Sequence, residues 1–171
     1  NLWRQRYAAP YSMNMAAFSH GKGPKATPAF YNGKLYTFGI NGILSCFEAT
    51  TGNLKWRQEF SPQFKNTSPT YGVSTSPIIA NGLCIVHAGG PNQGALMAFD
   101  GENGQVKWSW QGDGPGHASP IITELAGTQQ VITQTQNFCI GVAAATGQLL
   151  WKIPFTTAYD QNIVTPIVAP G

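Results

Sequence analysis

Gly52-Asn53-Leu54-Lys55-Trp56, Gly104-Gln105-Val106-Lys107-Trp108 and Gly147-Gln148-Leu149-Leu150-Trp151 each set a tryptophan four residues after a glycine. Thr51, Asn103 or Thr146 precedes the glycine. A second set of markers, Thr27-Pro28, Ser76-Pro77, Ser119-Pro120 and Thr165-Pro166, recurs in step with the first, its prolines 49, 43 and 46 residues apart. A period in the forties with turn glycines and no helical pattern predicts an all-β fold, a β-propeller built from one four-stranded antiparallel sheet per unit.

Within the second unit, Ser76 to Ala80 reads as a first strand and Asn81-Gly82 as a hairpin turn of the kind that needs positive φ. Leu83 to Ala88 reads as the second strand, Gly89 to Gly94 as a longer connection, Ala95 to Asp100 as the third strand and Gln105 to Trp110 as the fourth. The first unit repeats the plan with Asn32-Gly33 at its corner, and the third places Leu125-Ala126-Gly127-Thr128 there. Near-continuous apolar runs such as Leu83-Cys84-Ile85-Val86 fit sheets covered on both faces.

The motif tryptophans open the fourth strand of each unit. Burying an indole removes roughly 150–250 Å² from water, which is of order 4–6 kcal/mol as an upper bound. Gly52, Trp56, Gly104, Trp108, Gly147 and Trp151 are therefore expected to be structural, joining adjacent blades.

At this period 171 residues hold fewer than the four or so blades a closed ring needs. Asn1-Leu2-Trp3-Arg4 reads as the tail of a motif whose glycine would come earlier, and Thr165-Pro166-Ile167-Val168 opens another unit. The expected organisation is one partial propeller over residues 1–171, with blades at about 27–60, 76–110 and 119–155 and partial blades at 1–7 and 165–171. The remaining blades would come from sequence outside this stretch.

Composition narrows the partners. Charged residues make up 10% of the chain, the net charge is +3 and the basic residues are scattered, so no nucleic-acid surface is expected. No stretch approaches the roughly 18 apolar residues of a membrane span. Cys46, Cys84 and Cys139 fall in different units and read as buried, unpaired thiols.

Strand direction alternates within a blade, so the second-to-third-strand links and the exits to the next blade share one end. The exits are long: 24 residues separate Trp3 from Pro28 and 20 separate Trp56 from Pro77. The opposite end carries only short turns. Long loops usually carry function, and this face would present His20, Lys22, Lys25, Tyr71, Asp113, His117, Tyr159, Asp160 and Asn162. These polar groups could form a site near the propeller axis, or simply be solvated loop residues. His20, His117, Asp113 and Asp160 lack a recognised ligand spacing, and Asp160 with Asn162 as calcium ligands meets the same objection, so no metal site is assigned. Gly21-Lys22-Gly23 lacks the spacing of a phosphate loop.

Ala98-Phe99-Asp100-Gly101-Glu102-Asn103-Gly104-Gln105-Val106-Lys107-Trp108 resembles the tryptophan-docking motif of the pyrroloquinoline-quinone-like (PQQ-like) propeller repeats, Ala-x-Asp-x-x-Thr-Gly-x-x-x-Trp. The other copies are looser, with Cys46 and Glu48, or Gly141 and Ala143, in the alanine and aspartate places. The superfamily includes quinoprotein alcohol dehydrogenases, an outer-membrane-assembly lipoprotein and many secreted proteins, which implies a periplasmic or extracellular location. Two functions follow from the resemblance. One is a module binding a protein partner or a small molecule on its long-loop face. The other is a segment of a dehydrogenase holding PQQ and calcium, with an aspartate base and a vicinal cysteine disulfide. No two cysteines are adjacent here, Asp113 and Asp160 are the candidates for the base, and no residue matches a family motif closely enough to be assigned a catalytic role.

Overall fold

The computed structural model describes residues 2–169, and of Asp160 the backbone alone. Twelve strands form three sheets of four: β1 (Ala29–Tyr31), β2 (Lys34–Phe38), β3 (Leu44–Glu48) and β4 (Leu54–Gln58); β5 (Ile78–Ala80), β6 (Leu83–Gly90), β7 (Gln93–Asp100) and β8 (Val106–Trp110); β9 (Ile121–Leu125), β10 (Thr128–Gln134), β11 (Phe138–Ala143) and β12 (Leu149–Pro154). Each sheet is an antiparallel meander in chain order, as a propeller blade requires. The first strands lie nearest one another, β1 against β5 and β5 against β9, so the blades converge at that edge. Residues 2–7 and 165–169 carry no strand, and Asn1, Pro170 and Gly171, at the ends of the expected partial blades, lie outside the described residues.

The first corner of each sheet is a two-residue turn with both φ angles positive: Asn32 46° and Gly33 72°, Asn81 51° and Gly82 74°, Ala126 49° and Gly127 72°. Asparagine and glycine accept this region readily, whereas Ala126 occupies it without a compensating side chain.

One connection differs from the sequence expectation. Gly89 to Gly94 is not a long loop, because β6 and β7 continue to Gly90 and Gln93 and turn at Pro91-Asn92 alone. The glycines serve close approach instead. A Cβ on Gly94 would stand 2.6 Å from the Ala88 carbonyl oxygen, and one on Gly90 would stand 2.6 Å from Asn66 Cβ in the neighbouring loop.

Burial follows position in the stack. Strand β6, in the middle sheet, is buried from Cys84 through Gly90, whereas β2 in the first sheet alternates between buried and half-buried residues. A sheet with a neighbour on one side only keeps the ordinary period of two. Tyr36, Phe38, Leu44, Phe60 and Phe99 fill the space between the first and second sheets; Ile85, Leu96, Val131 and Ile140 fill the next. Cys46 and Cys84 are buried, Cys139 is half-buried, and all three are free.

The tryptophans join the units by one rule. Trp56 lies on Gly104 of the next sheet, where a Cβ would stand 2.7 Å from indole Cδ2, and its Nε1 donates to the Gly101 carbonyl at 3.0 Å. Trp108 repeats this on Gly147, donating to Ala144 at 3.0 Å, and Trp3 repeats it on Gly52, donating to Ala49 at 2.7 Å. The accepting carbonyl is always three residues before the glycine. With φ of 72–74° and a ring on its face, the position needs both a left-handed backbone and no side chain, which leaves glycine. Trp151 sits differently. It is half-buried and donates to Gln130 Oε1, in its own sheet, at 2.8 Å.

The proline markers form a second inter-blade ladder at the inner edge. Thr27 N donates to Ser76 Oγ at 2.9 Å, and Ser76 N donates to Ser119 Oγ at 3.0 Å.

Candidate functional site

That ladder fixes what lies just ahead of it in the chain. Lys25, Ser74, His117 and Ile163 each stand two residues before a Thr-Pro or Ser-Pro marker, in four successive units. All four line one pocket of about 180 Å³, together with His20, Tyr71 and Gln161. A single repeat position thus delivers side chains distant in sequence to one volume at the inner edge of the long-loop face.

Within the pocket, Tyr71 is the central wall. Its ring meets His20 edge-on at 5.7 Å and His117 at 5.8 Å between centroids. The Lys25 ammonium donates to the Tyr71 carbonyl at 2.7 Å, which holds the charge beside the aromatic group while leaving two N–H donors. Ser74 Oγ lies 2.9 Å from His117 Nδ1 and 3.2 Å from the His117 carbonyl oxygen, so Nε2 is the ring's remaining polar atom. Burial, and after it the Lys25 charge, holds the His117 pKa below the ordinary histidine value. The ring is therefore neutral at neutral pH, and the lysine carries the pocket's fixed charge. A smaller hollow of about 110 Å³ lies on the other side of the Tyr71–His117 wall, lined by Thr70, Pro115, Gln136 and Tyr159 among others.

Two further long-loop residues turn inward rather than into the pocket. Asp113 turns into the chain: its Oδ2 accepts from Thr135 Oγ1 at 2.6 Å and Asn137 N at 2.7 Å, and its Oδ1 from Gly114 N at 2.8 Å and Asn137 Nδ2 at 3.0 Å. Asn162 is buried, and its Nδ2 donates to the carbonyls of Thr135 at 2.7 Å, Phe155 at 3.0 Å and Gln136 at 3.2 Å. The Asn162 carbonyl also accepts from His117 N and Ala118 N, so the exit of the third sheet anchors the histidine backbone.

Of the residues singled out from the sequence, His20, Lys25, Tyr71 and His117 meet at the pocket, and Tyr159 lines the adjoining hollow. Lys22 is exposed over a separate groove with Tyr11, Pro24 and Ile40. Asp160 lies in a short 3-10 turn, Ala158–Asp160, beside Gln161. Ser74, Gln161 and Ile163 were not singled out, although the offset from the proline markers points to two of them.

A family model described as outer membrane protein assembly factor BamB matches residues 1–169. The chain belongs to the PQQ-like β-propeller family. Among similar proteins, the dehydrogenase subunit of alcohol dehydrogenase (quinone) from Gluconacetobacter polyoxogenes is 36% identical over 85 residues, covering 47% of this chain and 12% of that protein. Quinohemoprotein alcohol dehydrogenase from Comamonas testosteroni is 28% identical over 85 residues, covering 48% of this chain and 12% of that protein. The chain thus matches about an eighth of the length of these curated relatives. Among solved structures, the Comamonas testosteroni enzyme superposes with a TM-score of 0.59 at 19% identity over 82% of this chain and 29% of the other, and BamB from Moraxella catarrhalis with 0.53 at 18% over 72% and 34%. At these identities the likeness is one of fold. No helix among the described residues is long and apolar enough to cross a membrane.

Proposed function

We propose that this PQQ-like propeller segment is a binding module that takes a small molecule, or a group carried by a protein partner, on its long-loop face, in the periplasm or outside the cell. The observation that supports this is the convergence of Lys25, Ser74 and His117 from three successive units on one pocket with Tyr71 as its wall. In that reading Lys25 supplies charge, His117 and Ser74 supply directional hydrogen bonds, and Tyr71 with His20 supplies an aromatic surface. The remaining blades of the ring would add further side chains at the same offset.

A second reading, a segment of a PQQ- and calcium-dependent dehydrogenase, draws on the 36% identity to the Gluconacetobacter subunit. The pocket's own chemistry does not fit calcium, which takes about six to eight oxygen ligands with carboxylates prominent among them. No lining side chain is a carboxylate, and no three His, Cys, Asp or Glu side chains gather into a metal-binding group among the described residues. At about 180 Å³ the pocket is also smaller than the roughly 300 Å³ at which drug-sized ligand sites begin. Titration with PQQ and calcium, followed by absorbance and by dye reduction with an alcohol, separates the two readings. A binding module gives neither stoichiometric uptake nor turnover; uptake with turnover would assign the chain to the dehydrogenases. A ligand contacting only the Asn32 and Asn81 turns would overturn the choice of face.

A further inference from the structure

The residue two positions before each proline marker is an axial position. Its occupants here are a cation, two hydrogen-bonding side chains and an aliphatic group: Lys25, Ser74, His117 and Ile163. Such a set selects a particular chemistry. Lys25 is held against the Tyr71 carbonyl at 2.7 Å, so its position is set before any ligand arrives, and its remaining donors have no carboxylate among the pocket's lining residues to satisfy them. The nearest acid on the His117 loop, Asp113, spends both oxygens on Thr135, Asn137 and Gly114. Among the described side chains nothing neutralises this positive charge, which stands beside the rings of Tyr71 and His20. A charge-assisted hydrogen bond to an oxyanion is about twice as strong as a neutral one, and a partly desolvated ammonium strengthens it further. The aromatic walls, Tyr71 and His20, favour a flat apolar body behind that anionic head, and the small volume limits it to about one ring.

We infer that the axial pocket binds a small planar monocarboxylate, its carboxylate on the Lys25 ammonium and its apolar part against Tyr71. This rests on the long-loop face being the binding face, and it names the ligand class.

Benzoate is the probe, with benzamide as its neutral counterpart of the same shape, each followed by calorimetry and by the imidazole resonances of the three histidines. Benzoate is expected to bind and to move the His20 and His117 resonances while leaving His87 in place. Benzamide should bind roughly tenfold more weakly or worse, the factor expected for losing a hydrogen bond to a charged group. Lys25→Met should lose a similar factor for benzoate, Lys25→Arg should restore most of it, and Lys22→Met should change nothing. Equal binding of benzamide, unchanged benzoate binding in Lys25→Met with an unaltered melting midpoint, or no benzoate binding up to about 10 mM would each overturn the inference. Should glycerol or glucose move the His20 and His117 resonances where benzoate does not, the face stands and the carboxylate falls. Should benzoate perturb only amides at the Asn32 and Asn81 turns, both fall.

Discussion

Trp108 lies on Gly147: a Cβ on that glycine would stand 2.5 Å from the indole Cε3, and the indole N–H donates to the Ala144 carbonyl, three residues earlier, at 3.0 Å. The same pair of contacts joins Trp56 to Gly104 and Gly101, so one tryptophan both fills the seam between sheets and caps the turn of its neighbour.

Trp108→Ala is expected to cost about 3–5 kcal/mol, as truncation of a buried large aromatic does. Gly147→Ala is expected to cost about 2–4 kcal/mol, from a left-handed alanine and an overpacked indole together. Because both changes remove one contact, the double variant should lose clearly less than the sum. Trp151→Ala, at a half-buried indole bonded within its own sheet, should cost less than Trp108→Ala in this chain. Urea titrations of the four variants measure this, and a loss under about 1 kcal/mol for Trp108→Ala would contradict the contact's role.

Ala126 holds φ at 49° where Asn32 and Asn81 hold 46° and 51° in the equivalent turns. An alanine in the left-handed region carries a penalty that asparagine and glycine largely escape. Ala126→Asn and Ala126→Gly are therefore expected to raise stability by about 0.5–1 kcal/mol. Thermal midpoints below the parent's for both would show that the third corner is not under the strain its backbone implies.

His87 is buried in β6, and its Nε2 donates to the Asp113 carbonyl at 3.0 Å while Nδ1 is buried without a partner. Burial lowers its pKa to about 4, against the Asp113 contacts that act to raise it. The folded chain thus resists a proton that the unfolded chain accepts near the ordinary histidine value of about 6.5. Stability should be unaffected by this group above that value and should fall as pH drops from about 6.5 to 4, by up to about 3 kcal/mol. His87→Gln, which keeps a donor for Asp113 and cannot titrate, should flatten that part of the profile. Identical pH slopes in parent and variant would contradict the account.

Much of the architecture is legible in short stretches of sequence, because each device is local. The glycine before each tryptophan, the Asn-Gly corners and the Thr-Pro or Ser-Pro markers all lie within a few residues of the geometry they impose. The glycines at 89, 90 and 94 mislead, since a glycine that admits a neighbouring loop against a strand has the same letter as one that bends a loop. The candidate site is legible only in part. His20, Lys25, Tyr71 and His117 announce chemistry by type, whereas Ser74 and Ile163 reach the pocket through their offset from the markers alone. Asp113 and Asn162 look like free loop polar groups, and only the folded chain reveals that their side chains are consumed by backbone groups and by Thr135 and Asn137.

The claim underlying the functional reading is that side chains from successive units share one pocket on the long-loop face. Titrating the three histidine imidazoles by nuclear magnetic resonance, in the parent and in Lys25→Met, tests it most directly. Lys25 lies 92 positions before His117 and holds its pKa down, so removing the ammonium should raise the His117 midpoint. The His87 midpoint, set by burial in the second sheet, should stay where it is. A His117 midpoint that does not move when Lys25 loses its charge would mean that the two do not meet, and the proposed site would have no basis.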